Sequence, residues 1–166
     1  MRVCILSNFI LVLMLSAGCQ TQDEAEQSNK PKAEMTQEPL NTASSQEPER
    51  IEVQHILIAF DGSLPGRSVG RTKTEAQQQA MAVFALAQQG ENFDTLVKEH
   101  TNDSYPGRYE MCNFGMTPSH AKEYPRNGMV PAFGDVGFKL QVGEIGLAAF
   151  DSRKSPYGWH VIKRLK

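Results

Sequence analysis

Residues 20–50, "QTQDEAEQSNKPKAEMTQEPLNTASSQEPER", contain hardly any large apolar side chains. A stretch of this kind cannot bury enough surface to offset the entropy lost on ordering it, so it reads as disordered. Any hydrophobic core must therefore come from residues 51–166, which are long enough for one domain. Charge divides at the same place. Seven acids against three bases give the 20–50 segment a net charge of about −4, whereas residues 51–166 carry thirteen bases and twelve acids. So even a balance offers no electrostatic footprint for nucleic acid, and no nucleic-acid partner is expected. A monomer is expected.

The chain opens with "MRVCILSNFILVLMLSAGC": one arginine, an apolar run from Val3 to Leu15, then small residues ending at Cys19. Those are the three regions of a secretory signal, and the run is shorter than the ~20 residues a membrane span needs. Ser16-Ala17-Gly18-Cys19 resembles the lipobox of bacterial lipoproteins, with Leu15 one place upstream of its usual position. The resemblance implies a signal peptide over 1–18, a lipid on Cys19 and a tether over 19–50, with the folded domain over 51–166. An ordinary signal cut near Cys19 is the alternative. Gln20 after the cysteine carries no aspartate retention signal, which favours an outer membrane where the cell has one. Cys4 falls in the signal, so Cys112 is left without a disulfide partner. The spacings of Cys112, His100 and His120 match no recognised metal site, and neither metal nor cofactor is expected.

Within the domain, "IEVQHILIAF" (51–60) reads as a strand closed by Asp61-Gly62. "DGSLPGRSVGRTK" (61–73) is a loop carrying Arg67, Arg71 and Lys73. "TEAQQQAMAVFALAQQG" (74–90) has Ala76, Ala80, Val83, Phe84 and Ala87 at helical spacing, with Thr74 a plausible N-cap. "NFDTLVKEH" (92–100) predicts a shorter helix with Phe93, Leu96 and Val97 on one face. The stretch 101–130 is mostly turn chemistry, with a short strand expected near 112–114. "PAFGDVGFKL" (131–140) starts with proline suited to a first turn, but Gly134 and Gly137 make it a helix dependent on tertiary contacts. "GEIGLAAF" and "GWHVIKRL" close the chain as strands. Strand, helices, strand, helix, two strands is an α+β order around a small antiparallel sheet.

Two strands carry an imidazole among core-like residues: His55 in the first and His160 in the last. "QHILI", "GWHVI", the intervening "GMVPAFGDVGFKLQVGEIG" and the "RTKTEA" helix entry resemble, in this order, the parvulin family of peptidyl-prolyl isomerases. The resemblance covers residues 51–166. It implies a parvulin-like (FKBP-like) fold with a four-stranded antiparallel sheet and about four helices, isomerising Xaa-Pro segments of extended exported proteins. A catalytically weak parvulin-like chaperone or peptide-binding module is the alternative. His55 and His160 match the family's paired sheet histidines, and Asp103 the acid or thiol beside them. Phe114, Met129 and Phe133 match the wall that receives the proline ring, and Tyr157 a position used by hydroxyl side chains. Two departures stand out: "EMCNFG" (110–115) where many members have Gly-Gly, and a segment, 116–128, longer than in minimal members.

Each residue also has a plain reading. Strand histidines are ordinarily hydrogen-bonded core residues, Met129 and Phe133 have the spacing of a helical core stripe, and Asp103 fits a turn cap. Arg67, Arg71 and Lys73 fit a solvated loop. Family members selective for phosphorylated substrates carry a dense basic cluster after the first strand. Arg67 and Arg71 form no such cluster, and selectivity for phosphoserine-proline is not expected. Prolyl rotation needs no covalent intermediate, so a non-covalent mechanism is expected.

Overall fold

The computed structural model describes residues 47–166. The signal, the lipid site at Cys19 and the tether up to residue 46 lie outside the described residues. Strand β1 (Arg50–Ile58) is the centre of the sheet. Helices α1 (Lys73–Gln88) and α2 (Phe93–His100) follow, then strands β2 (Arg108–Cys112) and β3 (Glu123–Pro125). A 3-10 turn (Arg126–Gly128) leads into α3 (Pro131–Lys139), and β4 (Ile145–Ala148) and β5 (Trp159–Arg164) end the chain. The strand order is β3-β2-β1-β5-β4, all antiparallel except the β2–β3 pair.

The α+β class is as expected, with two differences in detail. The sheet has five strands rather than four, and three α-helices with one 3-10 turn replace about four helices. The extra strand, "EYP", has neither length nor alternation to announce it; it pairs in parallel with β2, and an Arg50–Glu123 ion pair ties it to β1. Helix α1 is capped by Thr72, not Thr74: the Thr72 hydroxyl accepts from the Glu75 N–H while the Glu75 carboxylate accepts from the Thr72 N–H at 2.7 Å. This reciprocal capping satisfies two donors at once.

Strict alternation along the strands divides the interior into two cores. On one face Ile56 and Ile58 of β1 meet Trp159 and Val161 of β5 beneath α1 and α2, with Ala80, Val83, Phe93 and Val97 filling the layer. On the other face Ile51, Val53, Met111 and Ile162 pack against Phe133 and Phe138 of α3. Each large aliphatic side chain buried this way contributes about 1.5–3 kcal/mol. The glycines of α3 have a packing reason. A Cβ on Gly137 would lie 3.3 Å from Ile51, and one on Gly134 would lie 3.1 Å from Arg126, so both let the helix approach closely.

The folded part begins before Ile51. Arg50 is already in β1, the Asn113 N–H donates to the Glu49 carbonyl at 2.8 Å, and Glu47 pairs with Arg126.

Gly158, just before β5, has φ +139°, and a Cβ there would sit 2.2 Å from the Ile58 carbonyl oxygen. Gly158→Ala is expected to lower stability by more than about 3 kcal/mol, because backbone must move on the central strand. Gly143→Ala, at φ +86° with nothing within 4 Å, should cost only about 1 kcal/mol. Urea denaturation midpoints check the pair; equal losses would contradict the close approach.

Candidate active site

The alternation that places Ile51 and Val53 under α3 carries on to His55 and Leu57, and in β5 it places His160 beside Ile162. The register sets Leu57 opposite His160 and His55 opposite Ile162, making the two histidines diagonal neighbours, within side-chain reach. Their rings stack with centroids 5.3 Å apart at 14°, and the two Nδ1 atoms are 3.2 Å apart. Both residues are buried.

Asp103 reaches this pair because β2 is short. It covers β1 only from Arg50 to Gln54, leaving the edge beyond without a partner strand. The turn after α2 fills that edge. The His55 N–H donates to the Gly107 carbonyl at 2.9 Å, and the Asn102 N–H to the Leu57 carbonyl at 2.8 Å. The Leu57 and Ala59 N–H groups donate to Thr101 Oγ1 and Asn102 Oδ1, at 3.1 and 3.0 Å. Gly107, at φ +65°, is what permits the approach: a Cβ would lie 2.6 Å from the His55 carbonyl oxygen. So stitched, the turn holds Asp103 Oδ2 at 3.0 Å from His55 Nε2.

Tyr109, unremarked in the sequence, completes the group by donating its hydroxyl to Asp103 Oδ2 at 2.8 Å. It lies opposite Val53 on β2 and shares a face with Met111, so alternation from a buried Met111 would have found it once β2 was placed. Phe133 closes the cluster from α3, its ring 5.0 Å from His55 and 5.5 Å from His160. Above lies a cleft of about 280 Å³. Met129, Val130 and Phe133 form one wall, Leu57 and Leu64 another, and Tyr157 stands at the rim.

The electrostatics follow from burial and partners. Asp103 is held well below the usual carboxylate range, chiefly because His55 donates to it; burial opposes this, while Tyr109 and the Ser104 N–H assist. Tyr109 is pushed up by burial and by its bond to that carboxylate. His160 is pushed down to about 3 by burial and by the neighbouring His55 ring, against a smaller pull from Asp103. The hydrogen-bond directions agree. An ionised Asp103 requires the proton on His55 Nε2, and a singly protonated His55 then accepts at Nδ1 from His160 Nδ1–H. That leaves His160 Nε2 bare, and it is buried without a partner.

His55, Asp103, His160, Met129, Phe133 and Tyr157 thus converge on one cleft. Phe114 does not. It follows the end of β2, where alternation from Tyr109 and Met111 points even-numbered residues to the opposite side, and the chain then turns at Gly115 (φ +78°). Phe114 is 62% exposed and covers the Arg126 guanidinium with 4.5 Å to the ring centre. Arg67 and Arg71 brace the 101–103 turn by donating to the Asn102 carbonyl (3.1 Å) and to Asn102 Oδ1 (3.0 Å). Cys112 is buried, and His120 pairs with Glu110 at 2.8 Å; among the described residues no cluster has the makings of a metal site.

A family model described as the PPIC-type PPIase domain matches residues 39–166. Chaperone SurA of Pseudomonas fluorescens is 28% identical over 117 residues, 70% of this chain but only 23% of that protein. The solution structure of TbPIN1 superposes with a TM-score of 0.51 at 21% identity, covering 71% of this chain and 98% of that one. Peptidyl-prolyl isomerase ESS1 from Candida albicans does so with a TM-score of 0.50 at 19% identity, covering 73% and 65%. The two structures show the likeness of fold.

The buried, neutral His160 makes stability depend on pH. Its folded pKa of about 3 lies below the unfolded value of ~6.5, so between them the unfolded chain binds more protons. Stability is then complete above ~6.5 and falls as pH drops toward 3, by about 3 kcal/mol at pH 4 from this residue alone. Asp103 adds a loss of the same sign at lower pH. Urea midpoints measured from pH 7.5 to 4 should show the slope, and His160→Asn should flatten it; an unchanged slope in the variant would rule out His160 as its source.

Proposed function

Because the chain belongs to the PPIC-type PPIase, or parvulin, family, we propose that its cleft catalyses cis/trans isomerisation of Xaa-Pro bonds without a covalent intermediate. The observation that carries this reading is the meeting of an apolar pocket with a buried polar group. Met129, Val130 and Phe133 stand beside His55, Asp103 and His160 in one cleft.

The barrier to rotation is ~18–20 kcal/mol because the planar amide has resonance that the twisted form lacks. Turnover near ~10 per second needs a barrier of about 16 kcal/mol, so only about 2–4 kcal/mol is required of the protein. Water favours the planar, more charge-separated amide. An apolar pocket around the proline ring removes part of that preference. Donors and acceptors fixed in advance then favour the twisted geometry over the planar one. Met129, Phe133 and Val130 hold the ring. Asp103, kept ionised and oriented by His55 and Tyr109, supplies the electrostatic part, and Tyr157 closes the rim. The histidines keep Asp103 in place from beneath.

Substrates of this kind are extended stretches of other exported proteins, and the activity assists their folding. The chaperone named among the relatives supports that setting. A signal over 1–18 and the Cys19 motif support a domain held at a membrane surface by the acidic segment that precedes Glu47. The outer membrane is favoured where there is one, with a monomer as the working unit.

Exchange NMR on unphosphorylated Ala-Pro peptides tests the activity. The wild-type chain should accelerate exchange. Asp103→Ala should lower kcat/KM about 10–100-fold, and Met129→Ala should act mainly on KM. Peptide binding with no acceleration would instead mark a chaperone module. Fractionating cells that express the whole chain, with a labelled fatty acid, tests the anchor: Cys19→Ala should lose both the label and the membrane fraction. Retention of either in the variant would overturn lipidation.

A further inference from the structure

Arg126 is the unexplained group behind the cleft. It is 6% exposed, yet it is an arginine in a short turn. A buried guanidinium is tolerated only with charge and hydrogen-bond partners on several sides. Here the partners come from three separate parts of the chain. Nη1 meets the Glu47 carboxylate and donates to Asn113 Oδ1 at 2.9 Å, while Nη2 donates to Asp135 Oδ1 of α3 at 2.8 Å. Phe114 covers one side of the guanidinium at 4.5 Å and Phe138 lies at 4.8 Å. Asn113 fixes the same lead segment, its side chain donating to the Pro48 carbonyl at 3.0 Å.

The neighbours of this arginine make the cluster functional. The Met129 N–H donates to the Arg126 carbonyl at 3.1 Å, and the Gly134 N–H to the Val130 carbonyl at 3.1 Å. Between those two bonds lie Met129, Val130 and Phe133, the wall of the cleft. The missing side chain of Gly134 is what lets α3 lie against the stem of Arg126. The wall is therefore joined to Arg126 twice, through the arginine's backbone carbonyl at Met129 and through its side chain at Gly134 and Asp135 of α3. One of the two carboxylates on that side chain belongs to the segment ahead of β1.

We infer that Arg126 is a positioning residue for the substrate wall and that Glu47 is its latch, so the functional unit reaches back at least to Glu47, upstream of the first apolar strand residue. Arg126 in turn holds the Glu47 carboxyl below the usual carboxylate range. The Glu47 side chain is 33% exposed, so its loss leaves the core intact while freeing Arg126 on the lead side. The inference rests on the proline-cleft reading for what the wall binds, but not for how the wall is held.

The test uses the full-length chain with methyl-labelled methionine. Glu47→Gln is expected to shift or broaden the Met129 methyl resonance and to raise KM for an Ala-Pro peptide about three- to tenfold, with kcat within twofold. Glu49→Gln removes the same charge two residues on and should leave both readouts at wild-type values. Arg126→Lys should reproduce the Glu47→Gln result, because an ammonium cannot span Glu47 and Asp135 as a planar fork does. A Met129 resonance unmoved in Glu47→Gln, or moved equally in Glu49→Gln, overturns the latch. Should the wild-type chain show no isomerisation, the proposed activity fails by itself, and the Met129 resonance in the free protein still decides for or against the latch.

Discussion

The pairing of β1 with β5 is the constraint from which the site follows. With Leu57 opposite His160, the two imidazoles become diagonal neighbours on the face that α3 covers. A slip of one residue would turn one histidine into the α1 and α2 core and bring an isoleucine or valine into the cleft. The register is held because the two faces of β1 differ: a slip would drive an imidazole into the apolar core of Ile56, Ile58, Trp159 and Val161 without its polar partners. Beyond Gln54 the other edge of β1 is given to a turn rather than a strand, and that substitution brings a carboxylate to the histidines.

Much of this was legible from residue order alone. The family resemblance implies the pairing of His55 with His160, and helical spacing in 74–90 and 92–100 predicts the layer behind it. Helical spacing alone reads Met129 and Phe133 as a core stripe, while the family resemblance assigns them to the wall; both flank the start of α3 and line the cleft. Phe114 was misplaced because it stands past the last paired residue of β2, where periodicity no longer governs direction. Tyr109 was missed because β2 was expected too late in the chain. The attachment of Glu47 and Glu49 is not legible for another reason: it is ionic and through backbone groups, and polar attachments leave no hydrophobic pattern to read.

The site also carries a standing cost. A buried imidazole nitrogen without a partner, as at His160 Nε2, costs about 1–3 kcal/mol relative to a satisfied one. Arg126 Nε is left in the same condition. Both lie in or directly behind the cleft, whereas the opposite core is almost wholly aliphatic and aromatic. Local rules are broken where the chemistry is and kept elsewhere, as expected when a polar network must be held in a set geometry.

The sheet is one strand layer thick, yet its two faces answer to different requirements. Beneath α1 and α2 any apolar side chains that together fill the same volume will do, since none of those residues lines the cleft. Beneath α3 the same strands present residues that fix angles and protonation. Over evolutionary time the first face can drift, absorbing substitutions and supplying spare stability, while the second is confined to few alternatives. Descendants of one ancestor would then differ most in the half of the core that a peptide never meets.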